Sequence, residues 1–451
     1  MSDTLFPVPT AETRGDVSPP APAPRVERPN RAQLELRSVD LDGVLPADHR
    51  ARLVWEFVEG LDLAPLYGAI RAVEGGAGRP AIDPAILTAL WLYATLEGVG
   101  SARALDRLCE QHDAYRWIAG GVSVNYHTLA DFRVAHGEVF DGLLTRSVAT
   151  LMAEGLVTLA RVAQDGVRVR AHAGAASFRG RDRLEHCLED AAAQVQALRQ
   201  ELDADPAATS RRQAAARTRA AEARQAQVKK ALEHLAEVEA RQQRTHHAAA
   251  HRRPARASTT DPEARVMKMA DGGFRPAFNP QPAADTRSQV IVGVDVTHVG
   301  SDLGQLPPMV EQLRRRYGRV PDERLADGNF PAHDAIDTVT AQGCVVYAPV
   351  PSPRTLKGQP AAPPRDRHTP RPEDSPAVAA WRQRMETDAS KTLYKLRAAT
   401  AECINALARN RGLQQFRVRG LDKARAVLLW FALAHNLMRA VALRRLAATT
   451  P

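Results

Sequence analysis

Hydrophobic residues recur at helical spacing in the first third of the chain. Between Pro84 and Glu97 they mark a predicted helix, with Asp83 as its capping carboxylate and proline at its first position. Residues 1–34 show no such period and are rich in proline, alanine and charge, so we predict a disordered arm there. Residues 35–157 are predicted to be an all-helical domain, whose pattern suits a DNA-binding module and a plain helical bundle equally.

The spacing of apolar residues changes from helical to alternating at Leu159. The segment from Leu159 to Arg170 alternates and is rich in valine, so we predict a strand with Asp165 in its middle. Further strands are predicted at 274–281, 288–298, 324–327 and 344–350, and helices at 309–317, 332–342, 376–410 and 421–447. A helical insertion at about 181–250 follows the first strand, and a proline-rich linker occupies residues 351–376.

The resulting element order is three strands, helix, strand, helix, strand and helix. It is the order of an α/β fold of the ribonuclease H-like class. We therefore predict a ribonuclease H-like catalytic domain over residues 158–447, which carries the helical insertion and follows the all-helical N-terminal domain.

The charge of the chain is basic and unevenly distributed. The formal net charge is +9 and the isoelectric point is near 9.7, which points to a polyanionic partner such as nucleic acid or an anionic membrane surface. Many basic soluble proteins bind neither, so the distribution of charge is the better guide. Residues 391–451 contain twelve Lys and Arg but only two acids, Glu402 and Asp422.

Cysteine spacing and hydropathy indicate the compartment. The four cysteines form no CxxC pair, so neither a zinc site nor a disulfide framework is suggested, and reduced thiols are expected. The longest apolar run, residues 426–434, is too short to span a bilayer, and the N-terminus has no signal pattern. We expect a soluble cytoplasmic, nucleoid-associated protein without a membrane partner.

Three acids stand where a metal-dependent phosphoryl transferase needs carboxylates. Asp165 lies in a valine-rich strand, Asp327 ends a strand before a glycine, and Glu402 is alone in a basic helix. Two hard divalent ions held by such carboxylates can catalyse in-line displacement at phosphorus. A single acid of this kind is more often an ion-pair or turn residue, and Asp295 is an alternative second ligand on the preceding strand.

Polar residues share the helical face of Glu402. Asn405 and Arg409 follow it by three and seven residues, so they lie on its side of the helix and could hold phosphate.

Motifs along most of residues 35–447 resemble those of bacterial insertion-sequence DDE transposases, and are most similar to the group numbered eleven-eighty-two, related to the insertion-sequence-four and -five types. The N-terminal part of the resemblance is GRPAIDPAILTALWLYATLEGVGSARALDRLCEQHDAYRWIAGGVSVNYHTLADFR (78–133). The catalytic part is VAQDGVRVRAHAGAASFR (162–179), STTDPEARVMKM (258–269), DGGFRPAFN (271–279), VIVGVDVTHVGSDLGQLPPMVEQL (290–313), LADGNF (325–330), LYKLRAATAECINALARNRGL (393–413) and FRVRGLDKARAVLLWFALAHNL (416–437).

The resemblance implies roles for individual residues. Asp165, Asp327 and Glu402 match the catalytic, metal-binding triad, and Asp327 is thereby preferred over Asp295. DNA contacts are predicted from Tyr394, Arg397, Asn405, Arg409 and Arg411, of which the first, second and fourth match a Tyr-Arg-Glu-Lys signature around the glutamate. The chain departs from this signature because arginine replaces the lysine and Arg397 lies one residue further from Glu402. Cys403-Ile-Asn also replaces the commoner Pro-Val-Phe after the glutamate.

The resemblance also implies an activity. The expected enzyme uses two Mg²⁺ (or Mn²⁺) ions to cleave the ends of an insertion sequence and to join the 3′-hydroxyl ends to target DNA. Its partners are double-stranded DNA, as terminal inverted repeats and as target, and further copies of itself in an active homo-oligomer. Three alternatives stay open: a ribonuclease H-like nuclease without strand transfer, an inactive DNA-binding relic, and a glycosidase-type carboxylate pair, which leaves the basic C-terminal segment unexplained.

Overall fold

The computed structural model describes residues 40–72, 80–204, 211–244, 254–352 and 366–449. The predicted arm at residues 1–34 lies outside the described residues, as do parts of the predicted insertion (205–210 and 245–253) and of the predicted linker (353–365).

The N-terminal region is helical, as predicted. Its helices are α1 (Arg50–Glu59), α2 (Ala64–Gly68), α3 (Pro84–Leu96), α4 (Ala102–Gln111), α5 (Asp113–Ala119), α6 (Tyr126–Ala135) and α7 (Gly137–Ala153). The predicted start of α3 is confirmed, since the Asp83 carboxylate accepts a hydrogen bond from the Ala85 N–H at 2.8 Å. This helix is buried on almost every side and not on one face only, because α1, α5 and the C-terminal helix pack around it.

The strands follow in the second part of the chain. They are β1 (Arg161–Gln164), β2 (Val169–Arg170), β3 (Phe178–Arg179), β4 (Ala257–Ser258), β5 (Arg265–Lys268), β6 (Phe274–Asp285), β7 (Ile291–Thr297), β8 (Glu323–Ala326) and β9 (Val345–Tyr347). The main sheet has the order β7-β6-β1-β8-β9, in which β6 is antiparallel to both neighbours and β1, β8 and β9 are parallel. Strands β2 and β5 pair with the first half of β6, and β3 pairs only with β4.

The strand predicted across residues 159–170 is interrupted, and this corrects the position of Asp165. Strands β1 and β2 keep one register along β6, but residues 165–168 between them are not strand. The β6 residues opposite this gap include Pro280 and Pro282, whose carbonyls accept from the Val167 and Asp165 N–H groups at 3.0 and 3.5 Å. Proline has no N–H to donate in return. Asp165 therefore lies just beyond the end of β1 and not in the middle of a strand.

The predicted insertion contains two long helices, α8 (Arg181–Ala204) and α9 (Arg211–Arg244). They pack against each other, and Leu184 of α8 is buried with Val228, Ala231 and Leu235 of α9. The small β3–β4 pair lies at the base of this hairpin, because β3 immediately precedes α8 and Ala257 of β4 joins the same cluster.

The remaining helices cover the sheet and form the C-terminal region. They are α10 (Leu306–Tyr317), α11 (His333–Ala341), α12 (Pro376–Glu386), α13 (Asp388–Arg397), α14 (Cys403–Asn410) and α15 (Leu421–Thr449), with a π-helical turn at Ala398–Glu402. The helical stretch predicted at 376–410 is thus divided. Thr387 adopts an extended conformation and caps α13 through the Ser390 N–H at 3.2 Å, which ends α12.

Helix α15 corrects the expectation about its apolar run. This helix of 29 residues is long and apolar enough to cross a membrane by length and composition, but 72% of its most apolar window is buried within the protein. It packs against α3, α6, α7 and β7, and the Trp430 indole N–H donates to the Arg133 carbonyl at 3.0 Å. Its hydrophobicity is therefore that of a core helix.

One hydrophobic core extends across the predicted boundary between residues 35–157 and 158–447. It includes Leu90 and Trp91 of α3, Val292 of β7, and Leu429 and Trp430 of α15. The division into two domains stays a prediction, but the helical region and the sheet share this core through α15.

Candidate active site

Asp165 and Asp327 lie side by side at one edge of the sheet. They directly follow the parallel strands β1 and β8, whose last residues, Gln164 and Ala326, are register partners. Paired parallel strands therefore deliver both carboxylates to the same cleft, which has a volume of about 1250 Å³. Asp295 lies within β7, and its Oδ1 accepts from the Val296 N–H at 2.9 Å. Asp327 lines this cleft, whereas Asp295 is not among the described residues that line it.

Glu402 enters the same cleft from the C-terminal helices, where Arg397 connects it to Asp165. Arg397 Nη2 lies 2.7 Å from Glu402 Oε1, and Nη1 lies 3.4 Å from Asp165 Oδ2. Its side chain is only 13% exposed, compared with 56% for that of Glu402. One cation thus contacts two of the three predicted catalytic acids.

The π-helical turn explains how Arg397 and Glu402 meet despite their unusual spacing. Residues five apart in an α-helix lie about 140° apart around its axis, whereas a π-turn, with i→i+5 hydrogen bonds, brings them closer to the same side. The turn occupies Ala398–Glu402, directly after Arg397. The extra residue between Arg397 and Glu402 therefore falls within the π-turn, and the two side chains form an ion pair.

The Asp165 carboxyl group is partly buried and surrounded by other acids. Its Oδ2 accepts a hydrogen bond from Asn405 Nδ2 at 3.1 Å. The pKa of Asp165 is raised to about 6, first by burial and then by the charges of Asp327, Asp302 and Glu402, while Arg397 acts in the opposite direction. The site therefore holds more negative charge than its one bridging arginine neutralises.

The donor chemistry of the cleft fits a hard divalent ion. Carboxylate and amide oxygens are the ligands that Mg²⁺ and Mn²⁺ prefer, and Asn405 Oδ1 is buried without a hydrogen-bond partner in the described part of the chain. Among the described residues, however, no three His, Cys, Asp or Glu side chains lie close enough together to hold one ion jointly. In this arrangement Arg397 supplies the positive charge that two of the acids contact.

We expect removal of the Asp165 charge to stabilise the metal-free protein in a pH-dependent way. Because the folded-state pKa, about 6, is above the ordinary value of 3.8, the folded protein binds the proton more tightly than the unfolded chain does. Stability should therefore fall as the pH rises from about 4 to 6. At pH 8 in EDTA, Asp165→Asn should raise the free energy of unfolding by up to about 3 kcal/mol. The difference should vanish near pH 4, and an equal difference in urea unfolding at both pH values would contradict the assignment.

The other predicted DNA contacts are not all brought together. Asn405 and Arg409 line the cleft, and the Arg397 guanidinium lies 5.7 Å from the Tyr394 ring centroid. Arg411 is not among the described cleft-lining residues. Its backbone lies against Gly98 at the end of α3, and burial lowers the pKa of its guanidinium.

Sequence reasoning missed Asp302, whose side chain is 2% exposed and which lines the same cleft. Asp302 Oδ1 accepts from Asn279 Nδ2 and Gln281 Nε2, both at 2.7 Å, and Oδ2 accepts from Arg168 Nη2 at 2.9 Å. The available signal was the pair Asn279 and Gln281, two polar residues that alternate on one face of a buried strand and so require a polar partner.

Comparison with protein families gives two matches, one at each end of the chain. A transposase domain (DUF772) matches residues 39–135, and a transposase DDE domain matches residues 361–441, the part that contains Arg397, Glu402 and Arg409. No curated protein and no solved structure matches the chain. The two domain matches indicate transposase function and support an insertion-sequence transposase of the DDE type.

Proposed function

We propose that this chain cleaves the ends of an insertion sequence and joins the freed 3′-hydroxyl ends to target DNA, with Asp165, Asp327 and Glu402 as the catalytic acids. The observation that carries the proposal is the convergence of the three carboxylates on one cleft: two follow paired parallel strands, and the third is the last residue of a π-turn. The group numbered eleven-eighty-two is the proposed subgroup.

The strand arrangement supports a ribonuclease H-like catalytic domain. Three strands form an antiparallel meander, β7-β6-β1, and two further strands, β8 and β9, continue the sheet parallel to β1. The predicted order of strands and helices agrees with this arrangement, and the hairpin of α8 and α9 falls between β1 and β6 in the chain.

Each residue of the cleft has a proposed task. Two Mg²⁺ or Mn²⁺ ions held by Asp165, Asp327 and Glu402 would supply charge neutralisation for in-line displacement at phosphorus. Asn405 holds the Asp165 carboxylate in place through its hydrogen bond. Arg397 neutralises two of the acids and, from the wall of the cleft, can exchange one of them for a DNA phosphate.

The cleft also offers positive charge to a DNA backbone. Arg170, Lys268 and Arg409 line it, and no ion pair with a carboxylate involves any of them in the described parts of the chain. Such side chains bind phosphate without reading sequence. We propose that the helical region of residues 35–157 contacts the terminal inverted repeats, that the active form is a homo-oligomer, and that the protein acts on DNA in the cytoplasm.

A strand-transfer assay tests the proposal against a plain nuclease. The substrate is a pre-cleaved duplex that carries the terminal sequence flanking the gene, mixed with supercoiled plasmid and Mg²⁺ or Mn²⁺. We expect plasmid joined covalently to the duplex by wild-type protein and none by Glu402→Gln. Metal-dependent nicking without joining would identify a nuclease, and DNA binding without either reaction would identify an inactive relic.

A further inference from the structure

A network of buried polar side chains crosses the sheet beside the cleft, and two of its members, Asp302 and Arg168, line the cleft. Asp302 is held by Asn279, Gln281 and Arg168, as described above. Gln281 Oε1 in turn accepts from Gln164 Nε2 at 2.9 Å, and Gln164 Oε1 accepts from Arg324 Nη2. The members within the sheet are at most 1% exposed.

This network connects the strands that carry the two aspartates. Gln164 is the residue before Asp165, and Arg324 lies three residues before Asp327 on β8. Hydrogen bonds therefore run from Asp302 through β6 and β1 to β8, and so connect the two strands that the catalytic aspartates follow.

The backbone beside Asp165 lies against the Asp302 carboxylate. A Cβ atom built on Gly166 would be 2.0 Å from Asp302 Oδ1 and 2.6 Å from Gln281 Nε2. Glycine at this position lets the main chain approach the carboxylate closely. Asp302 thus sets the position of residues 165–168, which follow β1. Opposite this segment, Pro280 and Pro282 have no N–H to donate, so the backbone alone holds it less firmly.

Asp302 also holds an arginine at the cleft wall. Arg168 Nη2 donates to Asp302 Oδ2 at 2.9 Å and to the Gly300 carbonyl at 2.8 Å, and the Arg168 side chain is 26% exposed. A charged group buried in this way is costly unless it is paired and hydrogen-bonded. Apolar side chains would fill the same space at a lower cost in free energy. The buried Asp302 charge is therefore best understood as a means of fixing the positions of its hydrogen-bonded neighbours.

We propose that Asp302 is a positioning residue of the active site, which fixes the segment carrying Asp165 and orients Arg168 at the cleft wall. This inference rests on the proposed function for its catalytic consequence, but the ordering of residues 165–168 is independent of it. Asp302 acts through these neighbours and is not assigned a contact with the reacting phosphate.

The test compares Asp302→Asn with Asp285→Asn in the full chain. Asp285 is a matched control because it is also a buried, hydrogen-bonded aspartate, 1% exposed. It is the last residue of β6, away from Asp302, and accepts hydrogen bonds from the Ser288 N–H and hydroxyl at 2.8 and 2.7 Å. Asparagine at position 302 keeps the size of the side chain but presents an amide, in place of an acceptor oxygen, to one of its donors.

Two measurements are made on the folded fraction of each variant. In Asp302→Asn, amide hydrogen exchange at residues 165–168 should become at least about 10-fold faster. The single-turnover cleavage rate at saturating protein should fall by about 10- to 100-fold, with little change in the protein concentration that gives half of this rate. Asp285→Asn should change neither, although both variants are less stable than wild type. Unchanged exchange at 165–168, or a loss of rate no larger than that of Asp285→Asn, would overturn the proposal.

A milder pair of variants keeps the proposal testable if Asp302→Asn does not fold. Arg168→Gln removes the outer contact of Asp302, and Arg161→Gln is its control, since Arg161 pairs with Glu323 and is 30% exposed. Only Arg168→Gln should slow cleavage, by about 10-fold, and equal rates would count against the proposal. If wild-type protein cleaves no DNA, the proposed function fails while the exchange comparison still decides the role of Asp302.

Discussion

Asp327→Asn is expected to lower the rate of metal-dependent DNA cleavage by more than about 100-fold, since changes to groups that merely support a metal ligand already cost about 10- to 100-fold. Asp295→Asn is expected to leave the rate near that of wild type. The reason is position: Asp327 follows β8 beside Asp165, while the Asp295 carboxylate bonds to its own chain on β7. Asparagine retains the volume of aspartate but loses the anionic oxygen that a divalent ion requires.

The measurement is single-turnover nicking of supercoiled plasmid in Mg²⁺ and in Mn²⁺, with circular dichroism to show that each variant is folded. Asp165→Asn and Glu402→Gln should resemble Asp327→Asn, because all three acids line one cleft. If Asp295→Asn were the inactive variant and Asp327→Asn the active one, the second catalytic acid would have been wrongly assigned.

Local patterns in the sequence were sufficient to predict the order of the strands along the chain and the position of Asp327 at a strand end, while the catalytic roles of the acids stay predictions. Alternation located the strands that became β1, β6, β7, β8 and β9. An acid at the end of a strand is visible as a break in that alternation, which is why Asp327 could be placed. The exact location of Asp165 could not be predicted, because its strand ends where prolines of a partner more than a hundred residues away withhold hydrogen bonds.

Features that depend on tertiary contacts could not be predicted from local sequence patterns. Asp302 itself has no distinctive local pattern; alternating Asn279 and Gln281 signal a buried polar partner, but only the fold shows that this partner is Asp302. The π-turn is another case, since one extra residue between Arg397 and Glu402 appears in the sequence only as an irregular spacing. Its effect on the ion pair requires the helix geometry.

The apolar C-terminal helix shows a third limit. The helix predicted at 421–447 is α15, but the short apolar run did not show that α3, α7 and β7 bury much of its surface. Arg411 was predicted to bind DNA from the same basic segment, yet its backbone packs against the end of α3. Charge in the sequence therefore did not show which side chains line the cleft, and the DNA contact of Arg411 stays a prediction.

Gly166→Ala is expected to lower the free energy of unfolding by about 3 kcal/mol. The added methyl group would lie 2.0 Å from Asp302 Oδ1, 2.6 Å from Gln281 Nε2 and 2.8 Å from Asn279 Oδ1. Overpacking alone costs about 1–3 kcal/mol, and here a buried carboxylate must also give up part of its hydrogen bonding, which is worth about 1.5–3 kcal/mol for a bond to a charged group.

Urea unfolding of Gly166→Ala and Gly174→Ala measures this effect with a matched control. A Cβ on Gly174 meets nothing within 4 Å and its φ is −83°, so alanine there should change stability by less than about 0.5 kcal/mol. Equal stability of the two variants would show that the backbone at residue 166 does not rest on Asp302. Because the clash is with that carboxylate, Asp302→Ala combined with Gly166→Ala should cost less than the sum of the two single losses.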